Sequence, residues 1–463
     1  MKTNKLSWVL HILLCIIIST YNLSAQLNID GTLVDMKPVQ QNLDTPWEIL
    51  WGPDNYIWIT ERYGRVSRIN PETGELTALI TIDEVHEESE SGLLGMALHP
   101  DFLEQPYVYL VYNYFEENIR ERVVRYYFNG SNLVNPEILL DNIQGAQNHD
   151  GSRILVGPDD KLYLSFGDAG TKSRSQDLSS LNGKILRMNL DGSIPDDNPF
   201  DDSYVWSYGH RNPQGLVFTP DDRLYSSEHG PSNDDEVNLI SKGHNYGWPQ
   251  VEGFCDNDSE ASFCTQNDIT EPLAAWTPTL AVAGLDYYPY TLIPAWKDKL
   301  LLVSLRTGKL ISLTLSGSGN EVIKQETWIS GELGRLRDLC IAPDGRVFIS
   351  TSNRDGRGTS RAGDDQILEL KPSGPDDIFS LRGDEIHYRL FPNPAREQVT
   401  INLDTNYDKV IYGIYRVTGE QVKIGTITGS RFLLDLKEIP TGYYLLKLQT
   451  EKHLKLISLV ITK

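Results

Sequence analysis

Pro53-Asp54-Asn55-Tyr56-Ile57-Trp58-Ile59 reads as a turn that opens into a strand. Proline presets φ for the turn, aspartate can accept a hydrogen bond from the backbone beyond it, and an aromatic and β-branched run follows at strand period. The pattern recurs. Pro158-Asp159 precedes Leu162-Tyr163-Leu164, Pro220-Asp221 precedes Leu224-Tyr225, and Pro343-Asp344 precedes Val347-Phe348-Ile349. Two weaker copies fill the gaps, Pro100-Asp101 before Tyr107-Val108-Tyr109-Leu110 and Pro294 before Leu300-Leu301-Leu302-Val303. Successive prolines of this set stand 47, 58, 62, 74 and 49 residues apart, the length of one four-stranded propeller blade with variable loops. Elsewhere strand-like runs are bounded by Gly, Asp and Asn, and no long stretch keeps a helical apolar period. The fold class predicted is all-β, with a six-bladed β-propeller over residues 26–375 and an array of β-sandwiches as the competing arrangement.

Outward from this pattern the chain changes character at both ends. The repeats stop at Pro372-Ser373-Gly374-Pro375, and residues 384–463 carry 11 Lys+Arg against 9 Asp+Glu, a net of +2 where the rest of the chain carries −24. Residues 376–388 read as a linker and 389–463 as a small C-terminal β-sandwich domain. This tail runs Leu390-Phe391-Pro392-Asn393-Pro394-Ala395, then short strands, then Ile439-Pro440-Thr441-Gly442-Tyr443-Tyr444-Leu445-Leu446-Lys447-Leu448. It resembles the C-terminal type A sorting domain of the type IX secretion system, which implies that machinery as a partner; an accessory β-sandwich is the plainer reading. At the other end Lys2 and Lys5 precede the apolar run from Trp8 to Ile18, followed by polar residues and Ser24-Ala25. Residues 1–25 therefore read as a secretory signal peptide. Cys15 lies within it, and Leu14 is too bulky for a lipoprotein cleavage site. No later run approaches the roughly 20 apolar residues of a membrane span, so the mature protein is expected to be soluble and exported through the periplasm to the surface or medium.

The 463 residues hold 42 Lys+Arg against 64 Asp+Glu, a formal charge of −22, and 40% hydrophobic residues. That is a globular composition with ample chain for a core. So acidic a surface repels phosphate backbones and anionic headgroups, and no basic stretch offsets it, which excludes nucleic-acid and membrane-surface binding. Cys255 and Cys264 lie nine apart in a polar loop, which suits a local disulfide in an oxidising compartment, whereas Cys340 in an apolar strand pattern reads as a buried free thiol.

Polar and Gly residues gather most densely from Tyr208 to Pro249. The stretch holds Gly209-His210-Arg211-Asn212-Pro213-Gln214-Gly215, Glu228-His229-Gly230-Pro231-Ser232-Asn233-Asp234-Asp235-Glu236 and Asn245-Tyr246-Gly247-Trp248-Pro249. Three acids after a Gly-Pro turn supply hard oxygens, and the turn can leave backbone carbonyls for a cation, so Ca²⁺ is the natural metal; a solvated acidic loop is the ordinary alternative. Asn148-His149-Asp150-Gly151-Ser152-Arg153 lies before the Pro158 turn. His149 is a candidate general base, although lone loop histidines are more often structural. In Arg335-Leu336-Arg337-Asp338 both arginines point to one side of a strand and would suit a polycarboxylate, unless they are surface residues paired with nearby acids. Arg306, in Ser304-Leu305-Arg306-Thr307-Gly308, ends the fifth repeat's strand, where propeller loops converge.

Together these stretches resemble the soluble quinoprotein glucose and aldose sugar dehydrogenases, with Gly92-Leu93-Leu94-Gly95-Met96-Ala97-Leu98-His99-Pro100-Asp101-Phe102 as a second hallmark. The resemblance spans about residues 40 to 372. It implies a six-bladed propeller that uses pyrroloquinoline quinone (PQQ) and Ca²⁺. It further implies that His149 removes the proton from a sugar's C1 hydroxyl and that Arg211 stabilises negative charge on a quinone oxygen. Asn212, Arg306, Arg335 and Arg337 would contact PQQ, with Trp276 as an aromatic wall. Gly230 and Pro231 would give carbonyl ligands to the catalytic Ca²⁺, while Glu236 and Tyr246, with Asp256, fall where some relatives hold structural Ca²⁺. Three positions depart from the family: Arg306 replaces a lysine, Glu90 a glutamine, and Ser173 lies near another glutamine. The activity expected is oxidation of a glucose-like aldose to its lactone; no motif names the electron acceptor. A Ca²⁺-dependent lactonase-like hydrolase has no use for the Arg335/Arg337 pair. A propeller that has lost catalysis and binds carbohydrate or protein at the surface is favoured by the departures at Arg306 and Glu90.

Overall fold

A computed structural model of the chain describes residues 25–373, 388–416, 421–450 and 454–463. The expected signal peptide up to Ser24, Cys15 with it, and the expected linker up to His387 lie outside the described residues. The chain divides into two compact units, one holding Asp35–Leu370 and the other Lys371–Lys463.

In the first unit, antiparallel sheets follow one another along the chain. Five consist of four consecutive strands each, and a sixth begins with Leu336–Ile341, Val347–Thr351 and Ile367–Pro372 and is completed by Thr32–Gln40 and Ala25–Ile29 from the N-terminal side. Each recurring proline falls between the first and second strands of a sheet. The turn aspartates show why the pattern repeats. Asp54 accepts the Trp58 indole N–H at 3.0 Å from the second strand and pairs with Arg68 at 3.1 Å on the third. Asp159 likewise accepts the Tyr163 hydroxyl at 3.0 Å and pairs with Arg187 at 2.7 Å. One carboxylate thus ties three strands together.

The first strands are Pro46–Trp51, Leu93–Leu98, Gly151–Val156, Pro213–Phe218, Val282–Tyr288 and Leu336–Ile341. Each packs on the first strand of the next sheet, and the last packs on the first. Such crowding requires small residues. A Cβ on Gly95 would stand 2.0 Å from the Ser152 carbonyl oxygen of the next sheet, and one on Gly284 would stand 2.1 Å from Asp338. Between successive sheets lie apolar layers. Trp58, Val66 and Leu79 meet Leu93, Met96 and Val108 in one, and Ala97, Tyr109 and Val111 meet Ile154, Leu162 and Leu164 in the next. On the axis Arg153 Nη1 binds Glu48 and, at 2.9 Å, Asp338; its Nε donates to the Gln214 carbonyl at 2.8 Å, and its guanidinium lies 4.5 Å from the Trp47 ring centre.

The loop expected around Cys255 and Cys264 contains a helix, Asp258–Asn267, capped by the Asn257 side chain, which accepts from Ser259 and Glu260 N–H. It buries no residue, so it carries no apolar period by which sequence could mark it. A disulfide joins Cys255 to Cys264, and Cys340 is a buried free thiol.

In the second unit, Gln398–Arg416 pairs along its length with Gln421–Asp435, its first part with Tyr388–Phe391 and its second with Gly442–Gln449, which pairs with Leu454–Ile461. Register shifts interrupt it between Asn402 and Val410. Val399 and Ile401 before the shifts, and Val410 and Ile414 after them, enter one core with Leu446 and Leu459. The quoted motifs have local tasks here: Asn393 Oδ1 accepts Val460 N–H at 2.8 Å, and the Tyr444 hydroxyl donates to the Pro440 carbonyl at 2.8 Å.

Replacing Arg153 with methionine strands Glu48 and Asp338, which are 6% and 3% exposed. Breaking a buried pair on one side costs about 3–5 kcal/mol, so the midpoint of urea unfolding should fall accordingly; a midpoint equal to the parent's would show that the axial clamp adds nothing.

Candidate active site

Starts of the first strands, the segments that lead into five of them and the segments that follow four of the second strands converge on a cavity of about 340 Å³. Six arginines line it, at 62, 211, 306, 335, 337 and 357, against the carboxylates of Glu90, Asp150, Asp235 and Asp355.

His149 lies on its wall, just before the strand Gly151–Val156. Its φ of 63° is left-handed, which costs a non-glycine residue about 1–2 kcal/mol. Hydrogen bonds on both sides hold it there. The His149 carbonyl accepts Ala169 N–H at 3.1 Å, and Gly151 N–H donates to Asn212 Oδ1 at 3.1 Å. The ring has two fixed partners. Nδ1 lies 2.8 Å from Asp168 Oδ1, and Nε2 lies 3.1 Å from Arg211 Nη2. A guanidinium can only donate and a carboxylate here accepts, so Nδ1 carries the proton and Nε2 offers its lone pair to the cavity. Burial pushes the Asp168 carboxyl up. The hydrogen bond from His149, the Trp248 indole N–H at 2.9 Å and Gly170 N–H at 2.8 Å outweigh it and hold Asp168 below the usual carboxylate range.

Arg211 Nη1 donates to the His229 carbonyl at 3.1 Å, and its guanidinium lies 5.3 Å from the Trp248 ring centre. Asn212 is buried beneath the cavity and does not line it; its Oδ1 also accepts from Gln214 Nε2 at 3.1 Å. Arg335 and Arg337 both reach the cavity. Arg335 pairs with Asp355 at 2.6 Å, whereas Arg337, 6% exposed, donates among the described residues only to Gln214 Oε1, at 3.1 Å. Burial pushes Arg337 down to about 10. Arg306 donates to Thr279 Oγ1 at 3.1 Å. Glu90 pairs with Arg357 at 2.8 Å and accepts His149 N–H at 3.4 Å. Burial would raise its carboxyl, but Arg357 and Arg337 help hold it low. His229, which burial pushes down to about 3, is neutral and lends Glu90 no charge.

Gly230 and Pro231 line the cavity, and among the described residues no hydrogen bond ends on either carbonyl. Asp235 beside them accepts Gly230 N–H at 2.9 Å and Val282 N–H at 3.2 Å.

Trp276 and Ser173 do not line the cavity, and neither do Glu236, Tyr246 and Asp256, which were expected at a separate structural cation site. Trp276 donates its indole N–H to Gln325 at 2.9 Å and faces an adjoining depression, which shares Thr279 and Arg306 with the cavity. The indole of the cavity itself is Trp47. Glu236 faces a separate hollow of about 10 Å³ with Glu228 and Tyr246, because neighbours on a strand face opposite ways. Burial, with the Glu228 charge, pushes Glu236 up to about 8. The Tyr246 hydroxyl is engaged by the Leu239 carbonyl at 2.6 Å and Ser241 N–H at 2.9 Å, and Asp256 is exposed outside this hollow. Ser173 is exposed and does not line the cavity. Sequence reading passed over Trp47, Asp168, Asp355 and Arg357; only the Gly167-Asp168-Ala169-Gly170 turn carried a faint signal.

Comparison with known proteins gives these features a context. Residues 43–361 match the family model of glucose/sorbosone dehydrogenases, and residues 389–463 match that of the secretion system C-terminal sorting domain. Quinoprotein glucose dehydrogenase B of Acinetobacter calcoaceticus is 31% identical over 70% of this chain and 86% of its own. Aldose sugar dehydrogenase YliI of Escherichia coli is 29% identical over 72% and 94%. The PQQ-bound aldose sugar dehydrogenase of Streptomyces coelicolor superposes with a TM-score of 0.65 at 34% identity, covering 73% of this chain and 98% of that one. The chain belongs to the glucose/sorbosone dehydrogenase family.

Arg211 Nε and Arg337 Nε are buried without an acceptor. A small polycarboxylate such as citrate should therefore raise the apo protein's Tm at constant ionic strength, and Arg337→Ala, which removes one charge-assisted bond of about 1.5–3 kcal/mol, should require at least roughly tenfold more citrate for the same rise.

Proposed function

We propose that this member of the glucose/sorbosone dehydrogenase family is an exported, PQQ- and Ca²⁺-dependent aldose dehydrogenase that oxidises a sugar's C1 hydroxyl to the lactone. The observation that carries this reading is His149: its tautomer is set by Asp168, and its unprotonated Nε2, which accepts from Arg211, faces a cavity of six arginines. The cavity suits the cofactor's charge, since Arg211 and Arg337 each keep a buried N–H without an acceptor. It suits the cation too, since the carbonyls of Gly230 and Pro231 are free of hydrogen bonds among the described residues. PQQ, when bound, supplies a two-electron acceptor for hydride, and Ca²⁺ a Lewis acid beside it.

The chain's own residues then divide the work. Arg335, Arg337 and Arg306 hold carboxylates, and Asn212 braces Gly151 beneath them. His149 Nε2 takes the hydroxyl proton as hydride leaves C1, and Asp168 stabilises the imidazolium that forms. Arg211, displaced from Nε2 by the sugar, keeps its charge beside the developing anion. Glu236 and Tyr246 frame a second, structural cation site. Residues 26–375 form a six-bladed propeller closed by the N-terminal strands. Residues 389–463 form a β-sandwich whose layers are the two halves of one bent sheet, joined by the linker 376–388. A signal peptide over residues 1–25 and type IX secretion through the tail deliver the enzyme to the surface or medium.

Apoprotein should gain glucose-dependent dye reduction only when PQQ and Ca²⁺ are both added, and His149→Ala should lower turnover by about 10²–10⁴ while leaving the PQQ needed for half activation nearly unchanged. Full activity after exhaustive chelation, or near-normal turnover in the variant, would refute the reading.

A chain ending at Gly374 should keep PQQ-dependent turnover, because the tail is a separate compact unit. In the native host it should stay in the periplasm; equal export of the truncated and full chains, read by fractionation, would show that the tail does not direct sorting.

A further inference from the structure

Asp150 follows His149 and is 2% exposed, and the strand Asn118–Phe128 brings Glu121, 0% exposed, against it. The reaction as proposed uses neither. One oxygen of each carboxyl is engaged: Asp150 Oδ1 accepts Ala146 N–H at 2.9 Å, and Glu121 Oε2 accepts the Ser152 hydroxyl at 2.9 Å. The other oxygen of each, Asp150 Oδ2 and Glu121 Oε1, is buried with no donor among the described residues. The polar groups packed around the pair are Glu90, Ser91, Ser152 and, opposite Glu121 on the adjacent strand, Asn113. None is a cation. Two ionised carboxylates cannot face each other there, whereas one proton held between Glu121 Oε1 and Asp150 Oδ2 satisfies both orphan oxygens.

The loop that this bond would secure is strained. His149, Gly151 and Ser152 have φ of 63°, 69° and 69°, so the backbone on both sides of Asp150 needs fixed partners to keep its course. We propose that Glu121 is a positioning residue: protonated, it bonds Asp150 and so holds the Ala146–Ser152 loop that aims His149 into the cavity. This rests on reading His149 as the base. Burial, reinforced by the Asp150 charge, keeps Glu121 well above the usual carboxylate range, and burial pushes Asp150 up to about 7. Both shifts favour the protonated pair in the folded state, so loop stability falls as pH rises from the ordinary carboxylate range through about 7 and beyond, where the shared proton leaves for solvent.

The test compares parent, Glu121→Gln, Asp150→Asn and Glu121→Ala. Infrared titration of the apo proteins should show a protonated buried carboxyl in the parent that both amide variants lack, since either amide donates the bond without a proton to lose. With PQQ and Ca²⁺ added, Glu121→Ala should lose about tenfold in kcat for glucose with KM little changed, the effect of a misaimed base. Glu121→Gln should recover most of that loss, and its alkaline decline in kcat should begin at least about one pH unit higher. If the alanine variant does not fold, Asp150→Asn supplies the comparison, with the same upward shift. The absence of any protonated-carboxyl band that both amide variants lose, or an alkaline decline unmoved in both, overturns the proposal. If the band behaves as expected but no loaded protein oxidises sugar, the reading of His149 fails and the carboxyl pair stands.

Discussion

The Arg153 clamp is the contact on which the rest of the first unit depends. Six first strands crowd one axis, and that axis is polar. Arg153 there pairs with Glu48 of the first sheet and Asp338 of the sixth, and binds the Gln214 carbonyl of the fourth. Buried charges of this kind stabilise only when every partner is present, so the clamp acts as a register pin more than as a source of net stability. It also sets the floor of the cavity. Trp47, against which Arg153 stacks, and Gln214, whose side chain receives Arg337, both line it.

How much of this the sequence revealed follows from how local each interaction is. The Pro-Asp turns were legible because Asp54 and Asp159 bond side chains only four residues on, and these five turns, with Pro294, marked the first turn of each sheet. The clamp was not legible, because Arg153 meets partners 105 and 185 residues away. For the same reason Asp168 escaped notice: a loop brings it to His149 from the end of another strand. His149, Arg211, Arg335 and Arg337 were found as a group because each stands in a polar stretch just before or at the start of a first strand, where the fold gathers loops.

A strand's twofold period separates residues that stand side by side in sequence. Glu236 shares a strand with Asp235 but faces the opposite side, so the acidic run Asp234-Asp235-Glu236 is split between two hollows. Trp276, which the resemblance offered as an aromatic wall, ends the last strand of its sheet and presents its indole to Gln325, so it faces the depression beside the cavity. The exposed helix at Asp258–Asn267 has no buried face, and its capping asparagine reads equally well as a loop residue.

The charge balance of the cavity distinguishes what its arginines are for. Arg62, Arg335 and Arg357 are each tied to a carboxylate, at Glu87, Asp355 and Glu90. Arg211, Arg306 and Arg337 make their direct bonds to neutral groups only, the His149 ring and His229 carbonyl, the Thr279 hydroxyl and the Gln214 amide. In a chain with a formal charge of −22, three cations without a carboxylate partner at one partly buried place make a local positive field that the rest of the surface does not supply. A neutral sugar gains little from such a field, whereas a polycarboxylate gains a charge-assisted bond at each guanidinium. On the proposed function these arginines therefore serve the cofactor, joined by Arg335, whose Nε Asp355 engages. The sugar is left to meet the polar wall that carries His149 Nε2 and Glu90, and substrate selection belongs to that wall rather than to the arginines.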